Sequence, residues 1–455
     1  MTDIDTAFDV SQKRNTRSRW DALKAFSDLN PDKRDTILLF LVRGGGAVFA
    51  FLTQIAIARW AGAGTFGIYA IAWTWIMVLG TLSQAGFGVA MTRFVSRYME
   101  RERPERAWQV IVFSAQFVTK VGIVTSFIAI GTVFFLSEEN IAAATTSSML
   151  LAMTLVPLYG LSELGQGVLR GLGDNMRAFV PGFLLRPVVL FALVSLAFIS
   201  GLDIDATLVV ASLGISLLFV VALQWHWIWH RGRGLEGKNH RRWHAGHWIS
   251  VAVPMVMTDA YLLLVSYMDL LVLDLYVSPE KVAVYFAAVK IIALVWFFPF
   301  AVSGVSARLL AQVFERGDMS KLKNLVFKFI HWSFWPTFIL SILLMISGDR
   351  ILVLFGDGFA DGLFVLQILA CGLIFQSAAG PIKYLMTMTE EQNSSAVILI
   401  FAACANIGLN FLLIPIWGLE GAAVATVGTQ VFATGLMVIQ TWRRLGVWSF
   451  LPCVR

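Results

Sequence analysis

Residues 36–60 read TILLFLVRGGGAVFAFLTQIAIARW, with Arg43 near the start and Arg59 at the end as the only charges. Helical at 1.5 Å per residue, this run is about 38 Å long, enough to cross roughly 30 Å of hydrocarbon. The next run, FGIYAIAWTWIMVLGTLSQAGFGVA at 66–90, has no charge at all. Ten more follow, at 107–136, 141–162, 178–200, 205–228, 247–273, 282–307, 324–348, 361–384, 394–416 and 419–442. The chain of 455 residues is 58% hydrophobic and 14% charged, with a mean hydropathy of +0.74. A soluble domain carries roughly 25% charged residues. An unpaired charge at mid-bilayer costs a few kcal/mol, so the depletion marks a chain that lives in lipid. The sequence predicts an all-α polytopic membrane protein with about twelve transmembrane helices.

The connections set the orientation. The even-numbered connections and the two tails hold 27 Lys and Arg, whereas the opposite-side loops hold two, Lys281 and Arg350. The positive-inside bias therefore places both termini in the cytoplasm. Residues 1–35 form a basic cytosolic arm suited to anionic lipid, not a signal peptide, since seven cations precede any apolar run. Trp60, Trp108, Trp225, Trp227, Trp229, Trp248, Trp417 and Trp442 fall near span ends, where amphipathic rings favour the headgroup zone. The net charge of +6 thus points to membrane lipids as the partner of the basic segments, with no nucleic acid implied.

The longest internal connection, 229–246, divides the chain into a six-helix lobe at 36–228 and another at 247–442, followed by a cytosolic tail at 443–455. FGIYAIA at 66–72 resembles KVAVYFAA at 281–288, setting Tyr69 against Tyr285, and Asn175–Ala178 echoes Asn393–Ala396. Six is even, so the lobes would share one orientation, related by a pseudo-two-fold along the membrane normal.

Several motifs carry a family resemblance. Arg43-Gly44 is followed by IAIARWAGAGTFGIYAIA at 55–72, and NFLLIPIWGLEGAAVATVGTQ stands at 410–430. RGLGDNMRAF at 170–179 and KYLMTMTEEQNSSA at 383–396 look like cytosolic turns before the fifth and eleventh helices. Together these resemble the polysaccharide flippase branch of the multidrug/oligosaccharidyl-lipid/polysaccharide exporter superfamily. The resemblance implies two lobes around a central cavity and a lipid-linked oligosaccharide built on a polyprenyl diphosphate. It implies transfer of that substrate from the cytoplasmic to the periplasmic leaflet of the bacterial inner membrane, by alternating access and without ATP hydrolysis. Polysaccharide-assembly proteins are the expected protein partners.

Ionisable groups inside spans are functional candidates, because hydrocarbon penalises them unless they are paired or face water. Arg43, Lys120, Arg186 and Lys290 would attract a diphosphate, and arginine can hold its oxygens through two parallel bonds. Gln54 lies eleven residues after Arg43, almost in register on one helix face. Two readings stay open for each cation: the cavity, or else a carboxylate partner (Lys120) or a snorkel to the interface (Arg43, Lys290). Asp259, Asp269 and Ser266 of the seventh span are the candidates for coupling transport to Na+ or H+, with neutralisation of Lys120 or Lys290 as the other reading. No Walker loop, dinucleotide fingerprint or metal-spaced His or Cys set is present, so neither a cofactor nor an enzyme is expected. The runner-up functions are a drug/cation antiporter, which needs exposed acids, and a membrane polysaccharide polymerase, which needs a large external loop.

Overall fold

The computed structural model describes residues 31–137, 143–233, 244–388 and 392–451. Most of the basic arm, the middle of the 229–246 linker and residues 452–455 lie outside these. Every regular element among the described residues is helical. They are α1 (Pro31–Ser83), α2 (Phe87–Glu100), α3 (Pro104–Ser137), α4 (Ala143–Thr154), α5 (Val156–Gly171), α6 (Asn175–Val180), a π-helical turn (Pro181–Leu185), α7 (Arg186–Ile199), α8 (Ala206–Gly232), α9 (Ala245–Tyr276), α10 (Pro279–Glu315), α11 (Met319–Leu352), a 3₁₀ turn (Asp357–Gly362), α12 (Leu363–Ala378), α13 (Ile382–Met388), α14 (Gln392–Trp417) and α15 (Leu419–Leu445).

Ten helical stretches among the described residues are long and apolar enough to cross a bilayer. One of them, Leu38–Ser83, has 46 residues, which no bilayer of roughly 30 Å needs in one piece. It breaks at Gly62, whose φ of 84° and ψ of 166° lie outside helical space, in a conformation that glycine alone adopts without strain. The break separates the runs expected at 36–60 and 66–90. The expected span at 141–162 is two helices, α4 and α5, that meet at Leu155 next to Pro157, where an amide donor is missing. α5 then runs on to Gly171, beyond the apolar window that Glu163 brings to an end. The span expected at 361–384 likewise divides at Gly380 (φ 58°) into α12 and α13.

The ends follow local chemistry. Asp205 caps α8 by accepting from the Leu208 amide at 2.8 Å, and Asp318 caps α11 through the Lys321 amide at 3.0 Å. Pro104 and Pro279 open α3 and α10, where a missing N–H goes unneeded.

The first and second halves of the chain meet along α1 and α10. At the end of the bundle assigned to the outside by the loop charges, Phe66 lies against Phe286, Phe355 and Phe359, with centroids 5.6, 6.0 and 6.1 Å apart. Gly67 packs directly on the Pro279 carbonyl, where a Cβ would come within 1.8 Å of the oxygen. Arg59 donates from Nε to the Leu354 carbonyl at 2.7 Å and from Nη2 to the Val353 carbonyl at 3.1 Å, tying the end of the first span to the end of α11.

Candidate functional site: cations between the two halves

Arg186 stands where the fifth span is least regular. Pro181 and Pro187 flank it, and its own amide bonds the Pro181 carbonyl five residues back, the signature of a π turn. Such a widened turn rotates the following residue away from the helical register, and π turns recur at functional sites. The Pro187 carbonyl is recruited by α1, accepting from Thr53 Oγ1 at 3.3 Å. The Arg186 guanidinium then lies over the Trp73 ring of α1, 4.6 Å from its centroid.

Around this pair the two halves contribute aromatic and charged groups. Tyr159 of α5 packs edge-on to Trp73 at 5.6 Å, and Gly80 makes room for it: a Cβ there would sit 2.6 Å from the Tyr159 ring. Arg186 acts electrostatically on Tyr69, Tyr159, Tyr267 of α9 and Lys290 of α10, and Glu163 acts on Tyr159 and Tyr267. Lys290 rests its ammonium 4.5 Å from the Phe286 centroid, one turn back on α10. Two of the four expected cations, from opposite halves of the chain, thus lie close enough to act on each other, each against an aromatic ring.

Arg43 forms a second station toward the expected inner end. Its guanidinium lies 4.4 Å from the Phe179 centroid, 5.0 Å from Phe183 and 5.8 Å from Phe300 of α10. Gly46 permits this approach, since a Cβ there would meet the Phe183 carbonyl at 2.3 Å. Arg170 shares the Phe179 ring at 5.8 Å and is electrostatically coupled to Arg43. The Nε of Arg43 is buried without a hydrogen-bond partner. Gln54, roughly 16 Å further along α1, keeps a buried, unpartnered Oε1.

The fourth cation goes elsewhere. Lys120 is exposed on the face of α3 that carries Ile123, Val124 and Phe127, away from the face that packs on α5. The structure therefore does not bring Lys120 to Arg186 and Lys290. None of Arg43, Lys120, Arg186 and Lys290 has a carboxylate ion-pair partner among the described residues; pairs such as Arg177–Asp174, Arg231–Asp174 and Lys321–Asp318 lie at the expected inner surface.

The acidic candidates also separate. Asp269 is 5% exposed and accepts from Tyr285 Oη at 2.5 Å and Thr426 Oγ1 at 3.2 Å. The polar seam continues through Thr429, which donates to the Thr426 carbonyl at 3.0 Å and accepts from Asn406 Nδ2 at 3.3 Å. Asn410 Nδ2 donates in turn to Asn406 Oδ1 at 3.1 Å. Asp269 Oδ1 and Asn410 Oδ1 remain buried without donors. Thr429 is also a wall of a small cavity of about 50 Å³ that Gln376, Lys383, Gln430 and Thr434 help to line. Ser266 is exposed and takes no part in the network, and the side chain of Asp259 lies outside the described residues.

Sequence reading missed Arg170 and Glu163, which sit in what was read as a loop and its margin, and the hydroxyl and amide groups around Asp269. Asn406 and Asn410, one turn apart in an apolar helix, were the legible signal for the latter.

Comparison with known proteins agrees with this architecture. Residues 33–306 match the family model described as polysaccharide biosynthesis protein. The chain is similar to the probable low-salt glycan biosynthesis flippase Agl15 of Haloferax volcanii, 25% identical over 166 residues, or 35% of this chain and 34% of that protein. The match thus spans about a third of that relative. Among solved structures it is similar to an inward-facing multidrug resistance MATE family transporter of the MOP superfamily, with a TM-score of 0.71 at 16% identity over 90% of this chain and 94% of that one. A MOP superfamily transporter from Pyrococcus furiosus, described as having a binding pocket of reverse polarity that suggests a different function, gives 0.58 at 14% identity over 90% and 95%. At these identities the likeness establishes the fold, a MATE-like bundle of membrane helices. With three-fifths of its length matched, the chain belongs to the polysaccharide biosynthesis protein family.

Proposed function

We propose that this chain is a flippase that moves a polyprenyl-diphosphate-linked oligosaccharide from the cytoplasmic to the periplasmic leaflet of the bacterial inner membrane, for cell-surface polysaccharide synthesis. In this reading twelve spans form two lobes with both termini in the cytoplasm, and alternating access exposes the space between them to each side in turn. The observation that carries it is the approach of Arg186 and Lys290 from opposite halves with no carboxylate ion-pair partner among the described residues. Even with Glu163 nearby, the excess charge is positive. A diphosphate supplies the missing anion, and the guanidinium can bind two of its oxygens at once. Arg43, beside Arg170 at the inner end, is the first station for the head group. Tyr267, partly exposed on α9, offers a ring face and a hydroxyl to the sugar, while the prenyl chain stays in lipid. A drug/cation antiporter would need the opposite sign at this position.

Asp269 is the coupling group of the proposal. Two buried acceptor oxygens, Asp269 Oδ1 and Asn410 Oδ1, lack donors, and a proton or a sodium ion satisfies such oxygens. Ser266, exposed on α9, takes no part in it.

Ligand stabilisation tests the diphosphate claim. A polyprenyl diphosphate should raise the melting temperature of the purified protein, in line with the ~2.7 kcal/mol that a ligand at a hundred times its Kd contributes. The matching polyprenol should not. Equal shifts from both would mean that only the chain is recognised, and the cationic site would lose its role.

A further inference from the structure

Lys120 is the seventeenth of the 34 residues of α3, so about 24 Å of helix lies on either side of it. In a helix centred on the bilayer it stands at the midplane. The helix face is unambiguous. Val118, Gly122 and Ser126 pack inward: Val118 is fully buried, a Cβ on Gly122 would touch Pro157 at 3.0 Å, and Ser126 donates to the Met153 carbonyl at 2.5 Å. Lys120 points the other way, on a stripe with Ile123, Val124, Phe127 and Ile128, which are 43, 57, 71 and 66% exposed.

A lysine at mid-bilayer on a lipid-facing stripe costs about 2.5–3.5 kcal/mol when alone. Phospholipid phosphates lie roughly 15 Å away along the normal, half the hydrocarbon thickness. Four methylenes cover less than half of that distance, so a headgroup phosphate reaches the ammonium only where the bilayer thins locally. A symmetric pairing of two copies through this face would set two ammonium groups against each other in a medium of low dielectric, which is strongly unfavourable. A carboxylate presented at the same depth satisfies the charge without deforming the bilayer. Only a second membrane-spanning helix can present one there.

We propose that the Ile123–Ile128 stripe of α3 docks a transmembrane helix of a different membrane protein, one that carries an Asp or Glu at mid-span to pair with Lys120. The large exposed side chains supply packing area along the helix, and the ion pair fixes register, since one turn of slip would leave both charges bare. The stripe lies on the face of α3 opposite Val118, Gly122 and Ser126, so the proposal does not rest on the diphosphate site.

In-membrane photocrosslinking of the full-length protein is the test. p-Benzoylphenylalanine in place of Phe127 should give one adduct with another membrane protein, whose crosslinked helix has a mid-span carboxylate. Lys120→Met should reduce the adduct about tenfold or more. Lys120→Glu combined with a lysine at the partner's acidic position should restore it, a rescue that a folding defect would not give. The same probe in place of Ile346, 76% exposed on α11, serves as the lipid-facing control. Adducts to lipid alone, to a second copy of this chain, or in equal yield with Lys120→Met would each overturn the proposal.

Discussion

Arg186→Ala, reconstituted in liposomes, transfers a polyprenyl-diphosphate glycan between ten- and a hundredfold more slowly than the wild type, on the order of one lost charge-assisted bond pair of ~1.5–3 kcal/mol. The loss arises at the substrate and not in the bundle, because Arg186 has no carboxylate to orphan among the described residues and Trp73, the ring it lies over, is held independently by Tyr159. Arg186→Lys keeps the charge but not the planar fork, so it should fall between the two. Lys290→Ala should follow the same direction with a smaller effect, since its ammonium is a single point charge. The measurement is the initial rate at which glycan becomes accessible to an impermeant glycosidase, with protein content in the liposomes held equal. An unchanged rate for Arg186→Ala would remove the residue from the site.

Asp269→Asn is expected to separate transfer from its driving force. The substituted side chain is the same size and can still accept from Tyr285 and Thr426, so the network around it keeps its shape. What it loses is the charge that a proton or sodium ion would neutralise. Substrate should then still equilibrate between leaflets but no longer accumulate when a proton or sodium gradient is imposed. Accumulation equal to the wild type under both gradients would show that this carboxylate has a structural role only.

The sequence carried the fold well and the site in part, for a single physical reason. Spans end where water begins, so apolar runs and cationic loops are written in composition, while helices begun by Pro104, Pro279 and the Asp318 cap start a few residues before the apolar runs they contain. The Gly62 break was legible in the AGAG between the first two runs. What composition does not encode is which face of a span looks inward. In water an amphipathic stripe marks the core, but lipid and protein core are both apolar, so the rotation of α3 was hidden. Lys120 was therefore grouped with Arg186 and Lys290 although it faces away. Arg186 was legible because Pro187 beside it signals an interrupted helix. The acidic set divided in a similar way: Asp269 found partners on α10 and α15 that are distant in sequence, while Ser266, three residues before it, is exposed. Arg59, at the end of the first apolar run, bonds carbonyls 294 and 295 residues away, a contact that only the tertiary fold could reveal.

The central claim is the sign of the charge that the two halves enclose. It is tested most directly by offering one reconstituted sample both an organic cation and a polyprenyl-diphosphate oligosaccharide, and measuring which crosses. The account predicts that the glycan lipid reaches the opposite leaflet at a rate proportional to protein, while the cation is not moved. Transport of the cation with the glycan lipid left in its original leaflet would contradict it.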